Sequence, residues 1–369
     1  LFYIALALSL GNLFVWITRD KVIHTVRLLV PFFIIIWIAP VIDLLVSGQG
    51  GQQMAYILEH DNLPLQYLTF FGPVVEFGIS IGMRIEIALV LLGSFWFFWV
   101  KTGSALKTIF GTWMMYSVIF MFVSLPAIIS LFGERLGVAV IIQEIPLGQI
   151  FFLVSLVLGT ILVVQARPKE SLLIAKDIRP LRWTHFQFMF ILGVCLAVYF
   201  GDAARSDLIS FSVLFDWIFI IISITGAWMY SIIINNLEDI EIDSVSNPNR
   251  MTVTGAIDEA SYRSVSWWVL LISISSAALV SFEHMFLVLV FIALYFLYSA
   301  PPLRLKRILI LSKGIIALNS LLLVTAGYTF LVSSDLEFIV PSILLPTFLI
   351  GMTMVMNFID LKDYEGDKQ

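Results

Sequence analysis

Two short acidic clusters hold the residues of this chain best suited to chemistry: Asn235-Asn236-Leu237-Glu238-Asp239-Ile240-Glu241-Ile242-Asp243 and Asp360-Leu361-Lys362-Asp363-Tyr364-Glu365-Gly366-Asp367. Each follows a long apolar run. On a helix, Asn236, Asp239 and Asp243 stand three and then four residues apart and share one face, and Asp360, Asp363 and Asp367 repeat that spacing. Like charges so placed repel by roughly 0.2–0.5 kcal/mol per pair even on an exposed helix, and by more where a membrane lowers the dielectric. A cation between them removes the conflict. Oxygen ligands of this kind suit Mg2+, which keeps several waters and is usually shared with phosphates. The six residues Asn236, Asp239, Asp243, Asp360, Asp363 and Asp367 are the expected metal ligands.

The elements that must position these clusters are membrane helices. Of 369 residues, 60% are hydrophobic and 13% charged, and the mean hydropathy is +1.00. A soluble domain carries about 25% charged residues. The fold class is all-α, a polytopic helical membrane protein of about eleven transmembrane helices. Apolar runs place them at about 1–17, 28–46, 85–100, 109–132, 148–166, 186–200, 213–234, 265–282, 284–299, 314–332 and 338–358. Segments 64–82 and 136–147 are short and broken by Gly and Pro, which suits interfacial or re-entrant pieces. The single cysteine, Cys195, rules out a disulfide framework. The partners expected are membrane lipids and lipophilic substrates, not nucleic acid. The chain begins with Leu and ends just past the second cluster, which reads as a piece of a longer protein.

A charged stretch from Arg167 to His185 divides the chain into an N-terminal membrane region, 1–168, of unknown role with about five helices, and a C-terminal region, 169–369, that holds all the polar motifs. With this stretch in the cytoplasm, one side collects eighteen Lys and Arg, among them Arg19, Lys101, Arg179, Arg250, Arg304 and Lys306; the other keeps Arg84, Arg135 and Arg205. Both acidic clusters then face the cytoplasm with the basic loop Tyr298-Ser-Ala-Pro-Pro-Leu-Arg-Leu-Lys-Arg307. A diphosphate ester bound among them would be bridged to the carboxylates through Mg2+, while Arg304, Lys306 or Arg307 neutralise the remaining phosphate charge.

From about residue 177 onward the chain resembles the UbiA-type membrane prenyltransferases. The pieces that carry the resemblance come in order: Arg179-Pro180; the first cluster, similar to the motif NDxxDxxxD; Pro248-Asn249-Arg250 with Gly255; the loop 298–307; and Lys362-Asp363-Tyr364-Glu365-Gly366-Asp367. The sequence departs from the pattern at Asn236, where the family has its first aspartate, and at Met251, where a proline is common. The resemblance implies about three further helices beyond the second cluster. It also implies Mg2+-dependent transfer of an isoprenyl group from a prenyl diphosphate to a lipophilic acceptor, aromatic or lipid. Asp239, Asp243, Asp363 and Asp367 would be catalytic, and Asn235, Arg250, Tyr298, Arg304, Lys306 and Asn319 would bind substrate.

Blander readings stand beside each signal. The clusters could be solvated loops, and the basic loop an ordinary positive-inside anchor. Tyr298 could be an interfacial belt aromatic, and Asn319 and Asn357 could be helix-packing hydrogen bonds. His24, His60, His185 and His284 lack ligand spacing and read as structural. Glu76, Glu86 and Glu144 border apolar stretches and read as headgroup-level groups. The rival from another class is a transporter or lipid scaffold that binds a cation or headgroup without chemistry. Transporter sites lie near the bilayer midplane, whereas these carboxylates lie at helix ends.

Overall fold

The computed structural model describes residues 1–32, 34–47, 56–57, 62–72, 79–136, 144–200, 211–332 and 345–355. Every regular element among them is helical, and the chain divides into two compact units, Leu1–Pro168 and Lys169–Gln369. Seven helices among the described residues are long and apolar enough to cross a bilayer. The protein is therefore an integral, multi-pass membrane protein.

In the first unit, α1 (Phe2–Thr18), α2 (Val22–Phe32), α3 (Ile38–Ser47), α4 (Leu63–Leu68), α5 (Ile81–Thr102), α6 (Ala105–Val123), α7 (Leu125–Leu136) and α8 (Glu144–Ala166) follow in order. The α5–α6 connection shows why these runs end where they do. Gly103 adopts φ 60 at the end of α5, a left-handed cap that only glycine takes without strain. Ser104 then caps α6 by accepting from the Lys107 N–H.

The second unit holds α9 (Pro168–Lys176), α10 (Pro180–Phe200), α11 (Phe211–Glu238), α12 (Ile240–Ser246), α13 (Glu259–Ala278), α14 (Phe282–Ser299), α15 (Leu309–Leu331) and a last described helix, α16 (Leu345–Val355). Helix α11 is central, with 72% of its apolar window buried and α13 and α14 packed along it. Helices α10 and α15 approach closely through paired glycines. A Cβ on Gly193 would lie 2.0 Å from the Val324 carbonyl oxygen, and one on Gly327 would lie 2.0 Å from that of Phe190. Small residues let membrane helices touch backbone to backbone, where dispersion replaces the missing hydrophobic drive. Phe186, Phe190, Trp228, Phe291 and Tyr295 fill the core between α10, α11 and α14.

The eleven expected spans differ from this in identifiable ways. The run 28–46 is broken at the single 3-10 turn Ile35–Trp37, because Pro40 has no N–H to continue the helical ladder. The run 109–132 divides at Ser124, ahead of Pro126. The run 265–282 forms α13, whose serines lower its hydropathy. Much of 338–358 lies outside the described residues.

Candidate active site

The first acidic cluster straddles a helix break. Asn235 and Asn236 end α11, Asp239 occupies the turn (φ −108, ψ 11), and Asp243 lies in α12. Asn236 and Asp243 meet through Arg250, as a shared face requires, whereas Asp239, in the turn, goes to the basic loop. Two separate polar networks result.

The first network joins Asp239 to the basic loop. After the cis Pro301–Pro302 bond, Arg304 takes φ 41, and the chain folds back over the end of α11. Arg304 donates to the Glu238 carbonyl, one of the acceptors a helix end leaves open, and to Asp239 Oδ1 at 3.0 Å. Lys306 Nζ reaches Asp239 Oδ2 at 2.5 Å and Asn235 Oδ1 at 3.1 Å. Ser299 donates to that same Asn235 oxygen at 3.3 Å. Asp239, Arg304 and Lys306 are each less than one-fifth exposed, so water screens these pairs weakly.

The second network surrounds Asn236, which is 2% exposed. Its amide oxygen accepts from Arg179 Nη2 and Arg250 Nη1, both at 3.0 Å. Its amide nitrogen donates to Asp177 Oδ2 at 2.5 Å and lies 3.3 Å from the Tyr262 hydroxyl. Tyr262 in turn donates to Asp177 at 2.8 Å, and Arg250 pairs with Asp243. The segment 177–179 is tied to α11 by Trp228 Nε1, which donates to the Ile178 carbonyl at 2.7 Å. Burial lowers the Arg179 pKa, with Arg250 and Arg182 adding to the shift and Asp177 opposing it. Burial, with the Asp177 charge second, raises that of Tyr262.

Asn236, expected as a metal ligand, has protein hydrogen-bond partners at both ends of its amide. Its oxygen faces two guanidinium groups, and a cation there would be repelled by both. Asp239 and Asp243 carry the hard oxygens that Mg2+ prefers, but each already meets a cationic side chain. Among the described residues no three acidic, His or Cys side chains converge on one point. Asp360, Asp363 and Asp367 lie outside the described residues.

A cavity of about 380 Å3 opens beside both networks. Its wall holds the cations Arg179, Arg182 and Lys313, the polar groups His185, Ser231, Asn235, Tyr298 and Ser299, and the aromatic rings of Phe186, Trp228 and Tyr295. The three rings meet edge-on or tilted at 5.1–6.0 Å and are buried, whereas Arg182 is exposed. Tyr298 and Asn235 thus line the cavity, Lys306 and Arg304 border it through Asn235 and Ser299, and Arg250 meets Asn236 and Asp243 behind the wall. Asn319 does not line it; it is fully buried in α15, and among the described residues its amide has no hydrogen-bond partner. Asp177 and Tyr262 escaped the sequence reading, which took His185 as structural and counted Arg182 and Lys313 only among the positive-inside cations. The spacing of Arg179, Arg182 and His185, three apart at the start of α10, was the one signal that pointed to Arg182 and His185.

Residues 191–369 match the model of the UbiA prenyltransferase family. A stretch of 179 residues is 26% identical to digeranylgeranylglyceryl phosphate synthase of Sulfurisphaera tokodaii, covering 48% of this chain and 62% of that relative's length. No solved structure matches the chain. Over residues 191–369 the chain is thus similar to the UbiA prenyltransferase family, and it spans less than two thirds of the length of the relative it matches.

Proposed function

We propose that residues 169–369 transfer an isoprenyl group from a prenyl diphosphate to a lipophilic acceptor, at the cytoplasmic face of the membrane and with Mg2+. The cavity carries this reading, because cations and buried aromatic rings share one wall. The diphosphate is bound by Arg179, Arg182 and Lys313, with Lys306 and Arg304 near by. The residues that line the cavity include three cations, Arg179, Arg182 and Lys313, and no carboxylate, a balance that favours an anion.

Asp239 and Asp243, with Asp360, Asp363 and Asp367 of the second cluster, would hold Mg2+ jointly with the substrate oxygens; the metal would neutralise the departing diphosphate. The chain's own residues do the rest. Asn235, Ser299 and Lys306 fix the polar end, so the allylic carbon lies beside the rings of Phe186, Trp228 and Tyr295. These rings exclude water and present π faces to the positive charge that develops as the C–O bond lengthens. The relative's name points to an acceptor that itself carries a lipid chain and a phosphate. Arg182, exposed at the cavity, suits such an acceptor.

The test uses the full-length protein in lipid nanodiscs with Mg2+, a series of prenyl diphosphates, and aromatic and lipid-phosphate acceptors. Diphosphate release together with a product heavier by one prenyl unit is expected, and both are to vanish with EDTA. The absence of release with every pair would refute the reading. Cation flux in proteoliposomes that survives Asp239→Ala would favour a transporter instead.

A further inference from the structure

The first acidic cluster has an amide at position 236, where the resembling motif has a carboxylate. The fold brings a carboxylate to that amide from another element. Asp177, in the turn between α9 and α10, places Oδ2 at 2.5 Å from Asn236 Nδ2 and at 2.8 Å from the Tyr262 hydroxyl. Its other oxygen lies 4.0 Å from Arg179 Nε. The amide is therefore matched at both ends: cationic Arg179 and Arg250 on its oxygen, anionic Asp177 on its nitrogen. An aspartate at 236 would set two carboxylate oxygens 2.5 Å apart in a site that is almost closed to water. Asn is the residue this geometry requires.

We propose that Asp177 supplies the negative charge that the cluster lacks at position 236. The Asp177–Asn236 pair is then a positioning element: it holds Arg179 in the cavity wall and Arg250 against Asp243. Neither Asp177 nor Asn236 lines the cavity, so both act through the two arginines. A buried pair of this kind has a direction, and the direction is reversible. With Asn at 177 and Asp at 236, the amide would donate from the opposite side, and the new carboxylate would still accept from both guanidinium groups. Tyr262 would keep a partner, because its hydroxyl can donate to either residue. The exchange conserves charge, volume and every donor–acceptor match, whereas each single change breaks one of them.

This proposal rests on the prenyl diphosphate reading only for the identity of what Arg179 meets. The experiment compares Asp177→Asn, Asn236→Asp and the double exchange in the full-length chain in nanodiscs. It reads affinity for inorganic diphosphate by calorimetry, KM and kcat for a prenyl diphosphate, and unfolding temperature. Coupled neighbours of this kind move an equilibrium by roughly threefold to more than a hundredfold, so each single variant is expected to weaken diphosphate binding by about tenfold. KM should rise with it while kcat changes little. The double exchange is expected to recover affinity to within about threefold of the original. Tyr262→Phe, which removes one donor and no charge, should weaken binding less than either single charge change. If the double variant shows the summed loss of the two singles, or if neither single changes affinity, the pairing has no positioning role and the proposal fails. Rescue of diphosphate binding in a chain that transfers no prenyl group would leave this proposal standing and remove the proposed function instead.

Discussion

Lys306 Nζ lies 2.5 Å from Asp239 Oδ2, across 67 positions of sequence, while Arg304 holds the other oxygen of the same carboxylate. One aspartate at a helix break thus anchors a loop that carries two cations. Asp239→Asn leaves those cations facing each other without the carboxylate charge that both are paired with. Turnover, read as diphosphate release, is expected to fall by at least about a hundredfold, as for the loss of one preorganised electrostatic group. Lys306→Met should instead raise KM for the prenyl diphosphate by about tenfold, since the carboxylate keeps Arg304 and a phosphate contact is lost. Equal effects on kcat from both variants would contradict this division.

Gly193 and Gly327 each meet a carbonyl oxygen of the opposing helix. Adding a methyl group at either position forces α10 and α15 apart. Gly193→Ala and Gly327→Ala are each expected to cost at least about 1–3 kcal/mol, the range for overpacking. A clear fall in unfolding temperature in detergent checks this; an unchanged melt would mean that the helices have room to separate.

Ser231 is buried on the cavity wall, with its hydroxyl turned back to the Ala227 carbonyl at 2.8 Å. Phenylalanine there would fill part of the cavity that the proposed function gives to the hydrocarbon chain. Ser231→Phe is expected to raise KM for long prenyl diphosphates by about tenfold and for the shortest by less, because lost apolar contact grows with each buried methylene. The comparison of KM across chain lengths decides it.

How far the sequence alone revealed this site depended on the kind of interaction. Asp239, Arg304 and Lys306 were legible because charge complementarity and shared sidedness need no knowledge of the backbone. The grouping of Asn236 with Asp239 and Asp243 assumed an unbroken helix; at the break Arg304, from 66 residues away, meets the Glu238 carbonyl and Asp239, while Arg250 still joins Asn236 to Asp243. Asp177 and Tyr262 were invisible for a similar reason. Each is 26 to 59 positions from Asn236, and nothing local marks either one. At the level of the fold, long apolar helices such as α8 and α11 stood out by length. The runs 28–46 and 109–132 read as continuous because hydropathy averages over the prolines that divide them.

Membrane sidedness can be read from a single exposed position. Ser244 lies in α12, exposed, one residue past Asp243. With Cys195 replaced by Ala, Ser244→Cys is expected to react with a membrane-impermeant maleimide only when the cytoplasmic face is open to it. Labelling of intact cells from outside would place the cluster on the opposite face.

Helix α11 has 28 residues, about 42 Å at 1.5 Å per residue, whereas the hydrocarbon layer is about 30 Å thick. Its neighbours sheathe most of it, so lipid does not set its tilt. A surplus of roughly two turns is long enough to carry the helix break, at its C-terminal end, beyond the acyl chains as a post. A thicker or thinner bilayer would shift the lipid boundary along the sheath while the post keeps its height above the protein core. The polar end of a bound substrate would then stay in contact with water and soluble ions, and its tail would stay below the waterline, in membranes of quite different composition.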